Sequence, residues 1–361
     1  MRVAVIYNEP KTATPEQRWM SRSRTGGSML PPDACDVAEF GVLQQVEAVT
    51  TALLEGGHQT VALGVDDIAQ LASFLANERP EIIFNCCEGL HRNAALEMNV
   101  AALYELFAIP FTGSSALTLG ISLNKALAKA VFQACGILTP PYAVFPAGAA
   151  LRAPKLRFPL IVKPLCEDAG IGIDENSVVE TEKDLFHRVR FIWREFDQPA
   201  LVEEFIDGRE LNVAVLAASP DQLMTLPISE IVFGELPGNS PRIVGYEAKW
   251  LLDSGYYRAT TPRCPACLPP GTAEAAQAIA LRAARAIGLR DYGRIDLRVR
   301  SRDNVIFVLE ANPNPDIGFD SGFVRASQAS GRTHTGVILE ILERAAERAR
   351  LSSAMEVAAG G

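Results

Sequence analysis

The chain of 361 residues is 48% hydrophobic and 21% charged, a size and composition that suit two or three subdomains with packed cores. Its formal net charge of −9 argues against a nucleic-acid partner. No apolar run approaches the roughly 20 residues that span a bilayer, and the opening "MRVAVIYNEP" lacks the features of a signal peptide, so we expect a cytoplasmic protein without a membrane partner.

The first part of the chain, residues 1–120, alternates strand and helix patterns. Strands are predicted for residues 2–7 and for the segments "QTVALGV" and "EIIFNCC". Helical periodicity covers about 39–55 and the segment "NAALEMNVAALYELF". Such alternation is typical of a parallel sheet with helices on its faces, so we predict an α/β domain here.

A second unit, residues 121–205, opens with the helix pattern "NKALAKAVFQAC", which Gly136 ends. The strand "FPLIVKPL" leads into the glycine-bearing turn "CEDAGIGI". A helix over about 181–196 and the strand "PALVEEFI" complete this unit.

The third unit, residues 206–350, begins with the strand "ELNVAVLAAS". A long irregular segment over about 227–270 separates it from a helix that ends at Gly288. Two strands and a C-terminal helix over about 333–350 follow, and residues 351–361 are predicted to form a flexible tail.

Two carboxylates are predicted to face each other in the last pair of strands. The strand "YGRIDLRV" places Arg294 and Asp296 on one face, and a hairpin centred near Asp303 sets Asp296 opposite Glu310 in "FVLEANPNP". Facing carboxylates repel unless a cation lies between them, so removing one should leave the unliganded protein equally or slightly more stable. Asn312 completes a set of hard oxygen ligands that suits Mg²⁺.

Arg294 lies on the same predicted face and could offer a planar fork to a phosphoryl group. The alternative is a surface salt bridge among Arg294, Asp296 and Arg298, with Glu310 simply solvated. The sequence around this pair does not decide between the two.

Candidate phosphate ligands occur in the second unit. Lys163 ends an apolar strand, and Gly170 and Gly172 in the following turn would let backbone amides approach phosphate oxygens. Lys125 opens a helix, where a cation and the helix amides can bind an anion together. The alternatives are a plain hairpin turn and a solvated first-turn lysine.

In chain order, the helix lysine, the strand lysine, the glycine turn, "LVEEFIDGREL", "YGRIDL" and "LEANPNP" resemble the D-alanine–D-alanine ligase family of the ATP-grasp superfamily, from about residue 40 to 345. The resemblance implies an ATP-grasp fold of class α/β. Its parts would be an N-terminal Rossmann-like parallel α/β domain, a central small α+β lid domain, and a C-terminal α+β domain with an antiparallel sheet.

The same resemblance implies roles for individual residues. The ATP-binding residues would be Lys125, Lys163, Gly170, Gly172, Glu203, Glu204, Phe205, Ile206, Glu210 and Leu309. Two Mg²⁺ ions, with Mn²⁺ able to substitute, would be held by Asp296, Glu310 and Asn312. The catalytic residues would be Arg294, which stabilises the transferred phosphoryl group, and Tyr246 and Lys249 of a mobile loop.

Substrate contacts are implied at Glu39, for an amino group, and at Ser321 and Gly322, for a carboxylate. A first-turn acid at Glu39 and a helix cap at Ser321 are equally good alternatives. The implied partners are small amino-acid-like molecules, and a homodimer is compatible with the resemblance.

The implied activity is an ATP-dependent ligation of a carboxylate to an amine through an acyl phosphate. Members that act on D-alanine carry adjacent serines where this chain has Ala169 and Gly170, and the amino-terminal segment also departs from their pattern. We therefore favour amino-acid or amino-acid-like substrates other than a pair of D-alanines. The open alternatives are an authentic D-alanine–D-alanine ligase, a phosphotransferase on the same fold, and a catalytically silent nucleotide-binding module.

Overall fold

The computed structural model describes residues 1–10, 34–91, 93–168, 170–236, 240–251 and 253–359, without the side chains of residues 34–40, 353 and 355–359. Three sheets organise this part of the chain. None of its helices is long and apolar enough to cross a membrane.

The first sheet is parallel and has the strand order β2-β1-β3. Its strands are β1 (Arg2–Asn8), β2 (Gln59–Val65) and β3 (Ile82–Cys86). Helices surround it: α1 (Ala34–Glu55), α2 (Ile68–Glu78) and α3 (Glu97–Leu106). Every residue of β3 is buried, as is usual for a parallel strand with both faces covered.

Two short helices lead into the second sheet, α4 (Ala116–Leu123) and α5 (Lys125–Ala134). Asn124 ends the first and caps the second, because its side chain accepts a hydrogen bond from the amide of Leu127. This junction fixes Lys125 as the first residue of α5.

The second sheet is antiparallel, in the order β4-β7-β5-β6. Its strands are β4 (Tyr142–Phe145), β5 (Leu160–Pro164), β6 (Val178–Val179) and β7 (Ala200–Glu204). Helix α6 (Glu182–Phe196) covers one face through Leu185, Val189 and Ile192, which follow the helical repeat and are buried.

The third sheet is antiparallel, in the order β11-β10-β8-β12-β13, with β9 beside β8. Its strands are β8 (Gly208–Ser219), β9 (Gln222–Thr225), β10 (Ser229–Phe233), β11 (Thr260–Arg263), β12 (Tyr292–Arg300) and β13 (Ile306–Asn312). One face packs on α9 (Thr272–Ile287) and α5. The other shares a core with α10 (Gly322–Ala329), α11 (His334–Ala359) and α1.

Two predictions about the third unit need correction. The segment 227–270 is not irregular throughout: besides β10 and β11 it contains the helices α7 (Tyr246–Trp250) and α8 (Gly255–Ala259). These helices are short and lack a long periodic pattern, which is why sequence periodicity missed them. Helix α11 runs to Ala359 instead of ending near residue 350, so most of the predicted tail is helical.

Each predicted unit contains one sheet: the parallel sheet lies within residues 1–120, the second within 121–205 and the third within 206–350. The exact boundaries between the units stay a prediction.

Candidate active site

A cavity of about 920 Å³ is lined by residues from all three sheets. It reaches the carboxyl ends of the parallel strands β1 and β2, where Asn8 and Val65 line it. The sequence-predicted residues that line it are Lys125, Lys163, Gly170, Glu203, Glu204, Phe205, Ile206, Glu210, Lys249, Arg294, Asp296, Leu309, Glu310, Asn312, Ser321 and Gly322. Residues far apart in the sequence are thus brought into one site.

The pairing of β12 with β13 sets Asp296 opposite Glu310, as predicted, and Arg294 opposite Asn312. A bulge makes this possible. Near the turn, Leu297 pairs with Val308, so Leu309 is an extra residue that shifts the register by one. Without the bulge Glu310 would lie on the opposite face of the strand, away from Asp296.

Asp296 is buried, and its carboxylate accepts four hydrogen bonds. Arg294 donates two hydrogen bonds to it, from Nε at 2.7 Å and Nη2 at 2.8 Å. The side-chain amides of Asn212 and Asn312 donate at 2.7 and 3.1 Å. An Arg294–Asp296 ion pair therefore exists, but it lies inside the cavity wall, and Arg298 pairs instead with Glu210 at 3.4 Å. The surface salt bridge considered from the sequence is wrong.

Glu310 lies among cations. Its Oε2 is 3.6 Å from Nζ of Lys125. Burial by itself raises the pKa of Glu310, but Lys125, Lys163 and Lys249 outweigh this effect and hold the pKa below its ordinary value. Cations thus compensate the repulsion between the facing carboxylates, and removing Glu310 should not raise the stability of the unliganded protein.

Lys125 and Lys163 are both buried at the cavity wall. Nζ of Lys125 also contacts Asp168 at 3.2 Å. Burial opposes the charged form of Lys125, yet Asp168 and Glu310 raise its pKa above the ordinary value, so it stays an ammonium. Lys163 pairs with Glu203 at 3.1 Å. The solvated-lysine alternative for Lys125 is therefore wrong.

The segment around Glu204 and Phe205 uses its amides within the second sheet. The amide of Glu204 donates to the carbonyl of Pro141, and that of Phe205 to the carbonyl of Pro159, both at 2.9 Å. Those two amides are therefore not available to an adenine base. Ile206 lines the cavity and is buried, so it remains a candidate for base contact.

Gly172 and Tyr246 do not line the cavity, and their contacts with a ligand stay a prediction. A Cβ added at Gly172 would lie 2.5 Å from Pro164 and 2.9 Å from Phe196, so this glycine is needed for packing. Tyr246 is buried, and its amide donates to the carbonyl of Ile173 at 3.0 Å. The amide of Tyr246 thus links helix α7 to the turn, whereas Gly172 lets the turn pack against β5 and the end of α6.

Gly170 does line the cavity and has a φ of +76°, which favours glycine. A Cβ there would come within 3.2 Å of the backbone of Gly245. The turn therefore approaches the start of α7 closely, and a larger residue at 170 would push the two apart. Ala169 lies outside the described residues.

The predicted substrate residues have mixed outcomes. Ser321 caps α10, because its hydroxyl accepts a hydrogen bond from the amide of Val324 at 3.2 Å, and it also lines the cavity next to Gly322. The helix-cap alternative is thus confirmed without excluding a ligand contact. Glu39 belongs to α1, but its side chain lies outside the described part of the chain.

Sequence reasoning missed Lys129 and Asn212. Lys129 is completely buried and pairs with Glu203 at 2.9 Å. Its position four residues after Lys125, on the same face of α5, was the available signal. Asn212, in the strand "ELNV", lines the cavity and fixes Asp296, and only the pairing of β8 with β12 reveals it.

The oxygen donors fit Mg²⁺ only in partnership with a ligand. In the described ranges, no group of three or more His, Cys, Asp or Glu side chains could hold a metal ion. Asp296, Glu310 and the amide oxygen of Asn312 offer two carboxylates and one neutral donor. Mg²⁺ commonly binds one or two carboxylates together with substrate phosphates, so this donor set suits a metal–nucleotide complex.

Comparisons with known proteins identify the family. A family model described as "D-ala D-ala ligase C-terminus" matches residues 131–343. A D-alanine–D-alanine ligase of Bordetella petrii is 33% identical over 259 residues, covering 71% of this chain and 74% of that protein. The chain belongs to the D-alanine–D-alanine ligase family. An uncharacterized protein of Sinorhizobium fredii, y4sG, is 32% identical over 310 residues, covering 84% of this chain and 87% of its own.

The fold agrees with this family. The crystal structure of D-alanine–D-alanine ligase from Bacillus anthracis complexed with ATP has a TM-score of 0.72 to this structure at 18% identity, covering 98% of this chain and 99% of that one. The predicted ATP-grasp fold is thereby confirmed. Fold and family are those of an ATP-dependent ligase that forms carbon–nitrogen bonds.

Proposed function

We propose that the protein joins a carboxylate to an amine on amino-acid or amino-acid-like substrates, through an acyl-phosphate intermediate. The observation that carries the proposal is one cavity lined by Lys125, Lys163, Lys249 and Arg294 together with the Asp296–Glu310 pair. Four cations beside two carboxylates suit a polyphosphate with a bound metal.

The reaction proceeds in two steps. An oxygen of the substrate carboxylate attacks the γ-phosphorus of ATP, the bond to the β-phosphate oxygen breaks, and ADP leaves. The amine then attacks the acyl carbon, inorganic phosphate leaves with the bonding pair, and the nitrogen loses a proton. Lys125, Lys163 and Arg294 neutralise charge on the transferred group and hold it in line.

Asp296, Glu310 and Asn312 would hold Mg²⁺, which when bound neutralises phosphate charge and orients the phosphoryl group. The protein's own contribution is to keep these donors on adjacent strands. The hydrogen bonds from Arg294, Asn212 and Asn312 fix the carboxylate of Asp296 before a ligand arrives.

Further carboxylates line the cavity, among them Glu88, Glu97 and Asp316. Burial raises the pKa of Glu97 to about 8, against the opposing effect of a hydrogen bond from Asn314 at 3.0 Å. An ammonium group bound beside Glu97 would offset the effect of burial and favour the ionised carboxylate, which supports a substrate that carries an amino group.

The proposal is tested by measuring ADP and phosphate release with amino acids offered singly and in pairs, and by searching the products for a new amide by mass spectrometry. Stimulated ADP release with an amide product supports a ligase. A phosphorylated product without any amide would support a phosphotransferase, and no stimulation by any compound would favour a nucleotide-binding module.

D-Alanine is expected to be a poor substrate. Gly170 supplies no hydroxyl to the turn that faces helix α7, and a lost hydrogen bond of this kind costs about 1–3 kcal/mol. We expect phosphate release with D-alanine to be at least ~tenfold slower than with the best member of a panel of L- and D-amino acids. Saturable conversion of D-alanine to its dipeptide, with nothing in the panel better, would overturn this expectation.

Trp250 is expected to report nucleotide binding. It lines the cavity at the end of α7, next to Lys249, so its fluorescence should change when Mg·ATP is added. Trp193 donates to the carbonyl of Phe145 and does not line the cavity. The signal should disappear in Trp250→Phe, and an unchanged signal in that variant would contradict the assignment.

A further inference from the structure

A second lysine of helix α5 is buried and does not line the cavity. Lys129 lies one turn beyond Lys125 and is completely buried. Its Nζ lies 2.7 Å from Oγ1 of Thr139, 2.9 Å from Oε1 of Glu203 and 3.4 Å from the carbonyl oxygen of Leu309. One ammonium thus joins α5, strand β7 and the bulge residue that precedes Glu310.

Glu203 is shared between two lysines. Its Oε1 faces Lys129, and its Oε2 lies 3.1 Å from Nζ of Lys163. Only 1% of Glu203 is exposed. Burial raises the pKa of this carboxyl, but Lys129 and Lys163 outweigh burial and lower it, so Glu203 remains ionised between them.

The two lysines differ in their access to ligand. Lys163 lines the cavity, whereas Lys129 does not. The triad therefore has one negative and two positive charges, and its surplus positive charge can be presented only by Lys163. If Lys129 were neutral, the surplus would vanish. Among the described residues, Lys163 would then be the one ion-pair partner left to the buried Glu203, in a medium of low dielectric constant.

We propose that Lys129 is a positioning residue that shares the charge of Glu203, so that Lys163 remains available to nucleotide phosphate. This inference rests on the proposed role of Lys163 as a phosphate ligand. It predicts that Lys129 acts on the phosphate end of the nucleotide and leaves contacts to the nucleoside unchanged.

The experiment compares two ligands by equilibrium calorimetry: ATP, which has phosphates, and adenosine, which has none. The quantity of interest is the ratio of ATP affinity to adenosine affinity. We expect Lys129→Met to lower this ratio at least ~tenfold, because Lys163 becomes confined to Glu203. Lys183→Met, on an exposed face of α6, is the matched control and should leave the ratio unchanged.

Removing both partners separates this role from a structural one. Glu203→Gln in the Lys129→Met background releases Lys163, so the ratio should return to within about threefold of the wild-type value. Equal losses for ATP and adenosine in Lys129→Met would overturn the proposal, because they indicate general damage. A double variant no better than Lys129→Met would overturn it too.

Two further variants keep the test decisive. Glu203→Gln alone retains both lysines and removes the carboxylate that holds Lys163, so the ratio of ATP to adenosine affinity should rise. This variant is informative even if Lys129→Met does not fold, and a fall in the ratio would contradict the proposal. Lys163→Met tests the underlying assumption. If Lys163→Met leaves the ratio of ATP to adenosine affinity unchanged, the role of Lys163 in the proposed function is wrong. If Lys163→Met lowers the ratio but Lys129→Met does not, only the present inference is wrong.

Discussion

Replacing Glu310 with glutamine is expected to lower Mg²⁺-dependent ADP formation by ~10²–10³-fold while the protein remains folded. Glutamine keeps the shape of the side chain but removes a charge from the pair that faces the cavity. Only two carboxylates of β12 and β13 are proposed to hold the metal, so neutralising one removes half of their charge. The measurement is steady-state ADP release at saturating Mg²⁺ and ATP.

The stability of the same variant distinguishes two views of the site. Glu310 lies near Lys125 and is stabilised in its charged form by surrounding lysines, so its loss leaves cations without a partner. We expect the unliganded Glu310→Gln protein to be less stable by about 1 kcal/mol in urea unfolding. Glu274→Gln, an exposed residue at the start of α9, should change neither activity nor stability. Near-wild-type activity of Glu310→Gln would refute the metal assignment.

Replacing Arg294 with methionine is expected to lower kcat by ~10³-fold, with a smaller effect on the KM for ATP. The guanidinium lies at the cavity wall and donates twice to Asp296, where a planar fork can also reach a transferring phosphoryl group. Its charge matters most when charge builds up on that group. The measurement is the full dependence of ADP formation on ATP concentration.

Two variants serve as comparisons for Arg294. Arg294→Lys keeps the charge but loses the fork, so we expect an intermediate kcat if planar geometry contributes. Arg302→Met removes an arginine from the exposed tip of the same hairpin and should have no effect. An Arg294→Met enzyme with wild-type kcat and only a raised KM would show that Arg294 binds ground-state ATP instead.

Local patterns predicted much of the fold and part of the site. The alternation in "YGRIDLRV" placed Asp296 on one face of its strand, and a short connection made the hairpin with Glu310 predictable. The residue pairs nearest the turn, such as Leu297 with Val308, follow a register that differs by one residue from that of Asp296 and Glu310, because Leu309 is bulged out. The predicted centre near Asp303 matched the site pair only because the bulge adds one residue to β13.

Other site features depend on how the elements pack. Gly172 occurs in a glycine-bearing turn of the kind that binds phosphate. In the structure, however, a glycine is needed there because a side chain would clash with Pro164 and Phe196 behind the cavity wall. Ser321 both caps helix α10 and lines the cavity, and the local sequence pattern cannot distinguish these two roles. Helices α7 and α8 are too short for periodicity to reveal. They pack against each other, and α8 also packs against β11.

The sequence by itself determined most of the order of strands and helices, without the short helices α7 and α8. It also determined the caps at Asn124 and Ser321 and the residue types that end the strands β5 and β13. These features depend on neighbours within a few residues, where backbone geometry fixes which side chains share a face. Only the tertiary structure decided that Glu203 lies between Lys129 and Lys163, because that triad requires α5, β5 and β7 to pack together. Buried charges select partners by distance in space, and the packing of separate elements sets that distance.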